Sequence, residues 1–449
     1  MKTMEKHELD EAIEILNRLL GVEARKPGTA AKLPAVIRVI ESLEPAGGMG
    51  FPVFPASYAG DGQNAPPVYD LNGIEYGPQL ELVHLKDRDR FRHQIVKARQ
   101  CTMDSPQSQA NRTEVAFLED EELRTLVPQA AATIPRAEGK KGAESILRLP
   151  HRVADFRVRL SQKADDVRSA IGAFADGNSL PLLRLMPTSI VFGFWDSRGE
   201  GTQHKHARIL LSRIDAFDVV PCTRHAVYSG PYSKDEFADV VLADKNLVAA
   251  SQEETGGETE EKDSSSTKKA LKKMAERGFT NALSGGLGGV LVQGKIERLA
   301  LLSLTDIARL SCPDGNIQTL EKLTNAARRY IFALGALAEG HPRASGSHRL
   351  RSGCELLTAT EVSVELCGGD AAYPDAGALR TLFKNRDALI AVARDAKATL
   401  EIRDRLDDFV VSAEDLRADF DTGAPKAPDV SGEVNAGARG TKGKRPRGK

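Results

Sequence analysis

Four side chains have the types and rough spacing of zinc ligands: His204 and His206 in "HKH", then Cys222 and His225 in "CTRH". A zinc ion on such a set would activate water, the chemistry of a cytosolic zinc-dependent hydrolase. The spacing of Cys222 and His225 suits a metal, whereas Lys205 between the two histidines is unhelpful to a bound cation. Other chemistries have less behind them. "SGGLGGVLVQGK" (Ser284–Lys295) has the glycines of a phosphate loop. It lacks the Gly-Lys-Ser/Thr that opens a helix, and its glycines run into a strand pattern. "RASGSHR" lacks a Gly-x-Ser-x-Gly elbow, and nothing marks Asp215 and Asp218 as an acid and a base. No catalytic constellation emerges, and neither a metal nor a cofactor is expected.

Cationic clusters are better developed. "HLKDRDRFRHQIVKAR" (His84–Arg99) holds six Lys/Arg against two Asp, and includes Arg88, Arg90, Arg92, Lys97 and Arg99. "SRGEGTQHKHARILLSR" (Ser197–Arg213) adds Lys205 and Arg208 beside His204, and "HPRASGSHRLRSG" (His341–Gly353) adds His348, Arg349 and Arg351. Lys295 follows the glycine-rich run. Charge gathered in loops this way suits a surface that tracks phosphates. A solvated protein face is the plainer explanation of any single patch. With aromatic residues at 5%, backbone recognition rather than base stacking is expected to dominate.

"DSPQSQANRTE" (Asp104–Glu114) carries no large apolar residue. Asn111 and Glu114 fit a capping box for a helix Asn111–Val127, with Val115, Leu118, Leu123 and Leu126 on its inner face. Capping does not account for Gln107, Gln109 and Arg112. A helix start offers free N–H groups, and Arg112 adds a bidentate fork, which together suit a phosphate.

The elements that must position these groups alternate irregularly. Helical periods occur at Glu8–Leu20, Ala154–Phe174, Leu320–Ala338 and Ala376–Asp395. Strand-like runs occur at Gln79–Leu85, Ser189–Asp196, Ala207–Val220, Gly288–Leu304 and Leu356–Leu366. This mixture predicts an α+β fold. The chain has 449 residues, 62 basic against 63 acidic, and five scattered cysteines, the composition of a soluble chain with reduced thiols in a cytoplasmic setting. The N-terminal pattern does not read as a signal peptide, and no run reaches the length of a membrane span.

"SPQSQANRTE", "PTSIVFGFWDS" (Pro187–Ser197), "GGLGGVLVQGKIERLALLSL" and "HRLRSGCELL" (His348–Leu357), in this order, resemble the backbone subunit of type I-G (formerly I-U) CRISPR surveillance complexes. That subunit is the Csb-type branch of the Cas-seven group in the RAMP superfamily. The resemblance runs from about Phe51 to Arg405; Gly353 departs from it, where a larger, often basic residue is usual. It implies a modified ferredoxin-like (RRM-like) palm with inserted thumb-like and helical elements. It also implies homo-oligomerisation along a CRISPR RNA whose bases stay free to pair with target DNA. The other implied partners are a large subunit, an RNA-processing subunit and a recruited helicase-nuclease; no reaction falls to this subunit. Its RNA contacts would come from the cationic and amide residues named above. The expected organisation is an N-terminal helical segment over 1–50, a core over 51–420 and a basic disordered tail over 421–449.

"SQEETGGETEEKDSSSTKK" (Ser251–Lys269) has no apolar residue and reads as a mobile insertion. Limited proteolysis should cut there first, and a short Gly/Ser replacement should leave the melting temperature unchanged.

Overall fold

Alternation of apolar and polar residues makes Val36–Pro45 a strand, β1: Ile37, Val39, Glu41 and Leu43 turn inward while Arg38 and Glu44 reach solvent. The computed structural model describes residues 6–26, 28–29, 32–60, 67–81, 91–136, 141–197, 204–228, 282–313, 316–370 and 373–421. Arg88, Arg90, the insertion 251–269 and the tail after residue 421 lie outside the described residues.

After β1, β2 (Ser57–Tyr58) and β3 (Val68–Tyr69) form a small ribbon, followed by β4 (Leu71–Glu81) and β5 (Phe91–Asp104). β6 (Ala131–Pro135) and β7 (Lys141–Ser145) join β16 (Phe409–Val410) in a three-stranded sheet, and β8 (Phe194–Asp196) pairs with β9 (His204–His206). β10 (Leu210–Tyr228), β11 (Ala282–Val292), β12 (Ile296–Ser303), β13 (His348–Arg351), β14 (Cys354–Thr358) and β15 (Ser363–Cys367) complete the set. Among the described residues the main sheet runs β13-β14-β1-β12-β10-β5-β4, with β15 also on β1 and β11 also on β10. All its pairings are antiparallel. The fold is α+β, consistent with the RRM-like palm that the resemblance implies.

β1 is a central strand, and Ala12, Leu16, Leu19 and Leu20 of helix Lys6–Leu20 enter the same core. Helix Lys6–Leu20 and β1 therefore share one core with the main sheet and the long helix. Several elements differ from their sequence patterns. Ser189–Asp196, expected as a strand, is mostly helix Pro187–Phe192, with only Phe194–Asp196 extended. A wholly buried apolar run has no readable period, and Pro187 at a helix start decides the matter. The helix expected from Asn111 begins at Pro106 and breaks after Glu114; short turns Ala116–Glu119 and Glu121–Arg124 follow. The capping box is not formed: Ser105 is the cap, its Oγ accepting from Ser108 N at 3.4 Å. The strand expected over Gly288–Leu304 turns at Gly294, where a Cβ would lie 2.7 Å from the Phe217 carbonyl oxygen. Ala376–Asp395 divides at Asn385, whose side chain caps helix Arg386–Thr399. Ala154–Phe174 and Leu356–Leu366 are likewise each divided in two or more elements.

The long helix Ile317–Ala344 starts at Asn316, whose Oδ1 accepts from Thr319 N at 2.9 Å. Gly335 lets it press against β12, since a Cβ there would meet Leu302 Cδ1 at 2.6 Å. One apolar cluster joins these helices to Ile37, Val39, Ala300 and Leu302. A second gathers Leu43, Ile296, Ala216, Met103 and Leu356. Between the cross-strand pairs Val39–Ala300 and Leu43–Ile296 sits Glu41–Arg298.

Arg298 is 0% exposed. Its Nη1 donates to Glu339 Oε1 (2.7 Å) and Glu41 Oε2 (3.3 Å), its Nη2 to the Glu339 carbonyl, and its Nε to Gln109 Oε1 (3.3 Å). Arg343 donates to both carboxylates, and His348 and Thr358 donate to Glu41. Two arginines thus face two glutamates in an interior layer, and removing one member would cost about 3–5 kcal/mol by leaving a buried charge unpaired.

Burial pushes the Glu41 carboxyl up from its ordinary 4.5, but His348, Arg298 and Thr358 outweigh it and hold the group at about 2. A carboxylate depressed in the folded state stabilises fully above its unfolded pKa and loses that contribution as pH falls through the folded value. The contribution is about 3 kcal/mol. Glu41→Gln should therefore be less stable at neutral pH, yet lose less stability than wild type between about pH 5 and pH 2. Denaturant melts across that range measure the difference, and parallel acid profiles would exclude the role given to Glu41.

Candidate nucleic-acid interface

The polar stretch after β5 is itself helix Pro106–Glu114, and its two faces divide the work. Gln109 and Thr113 turn inward; Gln107, Asn111 and Arg112 turn outward. Gln109, expected at the RNA surface, is 2% exposed, with Nε2 donating to Asp104 Oδ2 (2.6 Å) and Oε1 accepting from Arg298 and Ser212. Arg112 donates from Nε to Asp104 Oδ2 (3.2 Å) and Ser108 Oγ, and from Nη2 to the Leu350 carbonyl (2.6 Å). Its side chain is still 38% exposed. Arg351 Nη2 lies 3.8 Å from Asp104 Oδ1. Burial pushes the nearby Tyr58 phenol up, and the charge of Asp70 adds to this. Asp104 is completely buried and holds two arginine forks at the rim of the sheet.

A second centre forms around Arg152, which has φ +55° and is 4% exposed. Its Nε donates to Glu114 Oε2 (2.7 Å), its Nη2 to Asn111 Oδ1 (3.2 Å) and its Nη1 to the Gly193 carbonyl (3.3 Å), while its guanidinium stacks on Phe192. Burial pushes the Glu114 carboxyl up against the pull of Arg152. One arginine thereby joins "SQANRTE" to "PTSIVFGFWD", segments some 80 residues apart in the chain. Gly193 has φ +75°, and a Cβ there would fall 2.8 Å from the His206 carbonyl oxygen and 3.0 Å from Arg208 N. Only glycine lets the β8–β9 ribbon fold back so closely.

This return places Arg208 beside Arg152. Arg208 is half-buried, its Nε is buried without a hydrogen-bond partner, and no carboxylate among the described residues pairs with it. Burial lowers its pKa, and the charge of Arg152 lowers it further. Two guanidiniums share one wall while only Arg152 has a carboxylate, so the wall favours an anion. The one carboxyl described against it, Glu114, is held by Arg152.

The remaining expected residues distribute unevenly. Lys97 pairs with Asp218 (3.3 Å), Lys295 pairs with Glu297 and covers the Phe217 ring, and Arg99 is exposed across Gly73. These three lie around the β4–β5–β10 side of the sheet, apart from Arg208. Arg92 is placed by its backbone in β5, opposite Leu80. Arg349 is exposed opposite Glu355, and Lys205 is exposed on β9 next to half-buried His204. His348 turns inward, 4% exposed, with Nε2 donating to Glu41 Oε1 at 2.9 Å. It serves the interior layer rather than the surface.

Among the described residues the zinc set does not assemble. His206 Nε2 donates to the Ile190 carbonyl (3.0 Å), its ring packs edge-on to Phe174, and burial lowers its pKa. The side chain of His225 is outside the described ones, and among the described residues no group of three metal-ligating side chains occurs. No helix there is long and apolar enough to cross a membrane. Arg152, Arg213 and Tyr58 were missed in the sequence, because nothing local sets them apart; only their partners do.

Residues 37–221 match the model of a family described as CRISPR-associated protein GSU0053 (Cas_GSU0053). That span includes Asp104, Arg112, Arg152 and Arg208, but not Arg351. Over that span, less than half of the chain, the sequence is similar to a CRISPR-associated family. No curated protein matches the chain.

The two neighbouring arginines should part company in stability measurements. Arg152→Ala leaves Glu114 buried without its partner and should cost about 3–5 kcal/mol. Arg208→Met keeps the apolar stem, removes an unpaired charge and should leave stability equal or higher. Denaturant melts of both check this, and a large loss in Arg208→Met would show a hidden structural role.

Proposed function

We propose that the chain is the backbone subunit of a type I-G CRISPR surveillance complex and grips the sugar–phosphate backbone of the CRISPR RNA. The observation that carries this reading is Arg208, a half-buried guanidinium with no anionic partner among the described residues, beside a second guanidinium. Phosphate supplies the missing charge, and the arginine forks accept it bidentately. Asn111, Gln107, Arg112 and Arg351 extend the same wall toward Asp104, and Lys97, Arg99 and Lys295 offer further contacts across the sheet. Arg88, Arg90 and Arg92 stay in this proposal on sequence alone. Gln109 and His348 act as supports behind the wall.

Several copies would follow one guide RNA in the cytoplasm and leave its bases free for target DNA. The large subunit, the RNA-processing subunit and the recruited helicase-nuclease would supply the remaining activities, and this subunit would catalyse no reaction. The similarity over 37–221 supports the CRISPR setting.

RNA binding should weaken steeply with salt, by roughly 0.7 in the slope of log affinity against log salt for each phosphate contact. Arg208→Ala and Arg112→Ala should each lower RNA co-purification and flatten that slope; Arg112→Lys should recover only part. Melting temperatures of the same samples separate binding from folding, since Arg112 also holds the Leu350 carbonyl. Equal RNA content and equal slopes in all variants would remove both arginines from the interface.

A further inference from the structure

β8 and β9 form a two-stranded ribbon with strictly alternating sides. Phe194 and His206 face inward against Phe174, whereas Trp195 and Lys205 stand opposite each other on the outer side. Trp195 is 54% exposed, and it is the single tryptophan of the chain. Lys205 Nζ lies 5.6 Å from the centre of its ring. An indole is the largest apolar side chain available, and leaving it in water forgoes its burial. Its position is fixed from beneath. Asp196 takes Arg159 Nη1 at 2.6 Å, and the Gly193 carbonyl takes Arg152, so the strand carrying Trp195 is pinned on both sides.

We infer that Trp195 is a stacking platform for one nucleobase of single-stranded RNA, with Lys205 beside the adjoining backbone. The inference rests on the phosphate grip proposed above. Trp195 stands two residues, about 7 Å of strand, beyond Gly193, the residue against which the Arg208 backbone packs. A flat π surface and a cationic wall therefore adjoin, and one nucleotide carries both a flat base and an anionic phosphate. Charge complementarity selects this occupant over an apolar protein surface: Lys205, the cation on the indole, would be stranded under a protein cover. Stacking works on any base but demands an unpaired one, so the platform favours single strands over duplexes without reading sequence. It also gives a base contact to a surface otherwise composed of backbone contacts.

The single tryptophan makes the test direct, because intrinsic tryptophan fluorescence of the full chain reports Trp195 alone. Titration with a single-stranded oligouridylate should quench the emission at saturation. Inorganic polyphosphate, which fills the cationic wall but has no bases, should bind without comparable quenching. Trp195→Ala should weaken oligouridylate binding by roughly 5- to 150-fold, leave polyphosphate and duplex RNA affinities unchanged, and be largely rescued by Trp195→Phe. Oligouridylate binding with neither quenching nor loss in Trp195→Ala would overturn the platform and leave the phosphate grip standing. An equal loss for polyphosphate and duplex would overturn it as well, by making the residue structural. A changed oligomeric mass in Trp195→Ala at unchanged RNA affinity would assign the ribbon to a protein contact instead. No binding of any RNA by the wild type would remove the grip and the platform together.

Discussion

A guanidinium with no contact to water has to find its acceptors inside the protein, and Arg298 finds them on three separate elements. Glu41 comes from the neighbouring strand, Glu339 from the long helix and Gln109 from the helix that follows β5. The layer they form splits the apolar interior in two, so register and helix docking are specified together. A slip of one residue in β1 would turn Glu41 to the opposite face and leave Arg298 buried without it. The same layer reaches the surface site. With the Gln109 amide committed to Arg298, Ser212 and Asp104, helix Pro106–Glu114 has one allowed rotation, which presents Asn111 and Arg112 outward.

The two centres at the interface treat charge in opposite ways. Around Asp104, a buried carboxylate neutralises and aims the forks of Arg112 and Arg351. Around Arg152, the single buried carboxylate is Glu114, and Arg208 remains without a counter-charge among the described residues. The first is balanced within the protein, whereas the second carries one guanidinium more than its described carboxylate neutralises. Sites of this kind carry local cost that the surrounding packing offsets. Here the offset comes from Phe192 under Arg152 and from the apolar core beneath helix Pro187–Phe192.

Fold class was legible in the sequence because alternation in β10 and β12 and the apolar period of the long helix are local properties. Pro187–Phe192 was not, since a segment buried on every side has no wet face to set a period. The polar stretch shows a different limit. Its amides and arginine identified it as special, but Asn111, read as the cap, was the wrong residue because Ser105-Pro106 already begins the helix. Asn111 reaches Arg152, beside Arg208, and Arg112 turns outward at Asp104. Gln109 and His348 have the same residue chemistry and point the other way, and only the position of Arg298 and Glu41 decides that. Composition shows which residues are able to meet a phosphate; it does not show which of them the core has already engaged.

Gly353 illustrates how such engagement reaches the rim. It turns the β13–β14 hairpin with φ +77°, and a Cβ there would lie 2.6 Å from Phe54 Cδ2. The larger residue that the family resemblance leads one to expect would need both a tolerated left-handed backbone and the space now filled by the Phe54 ring. Positions 54 and 353 are therefore a coupled pair, able to vary only together. A chain that carries a long basic side chain at the hairpin tip should have a smaller residue at position 54, so that one co-varying exchange trades an aromatic brace for a cation.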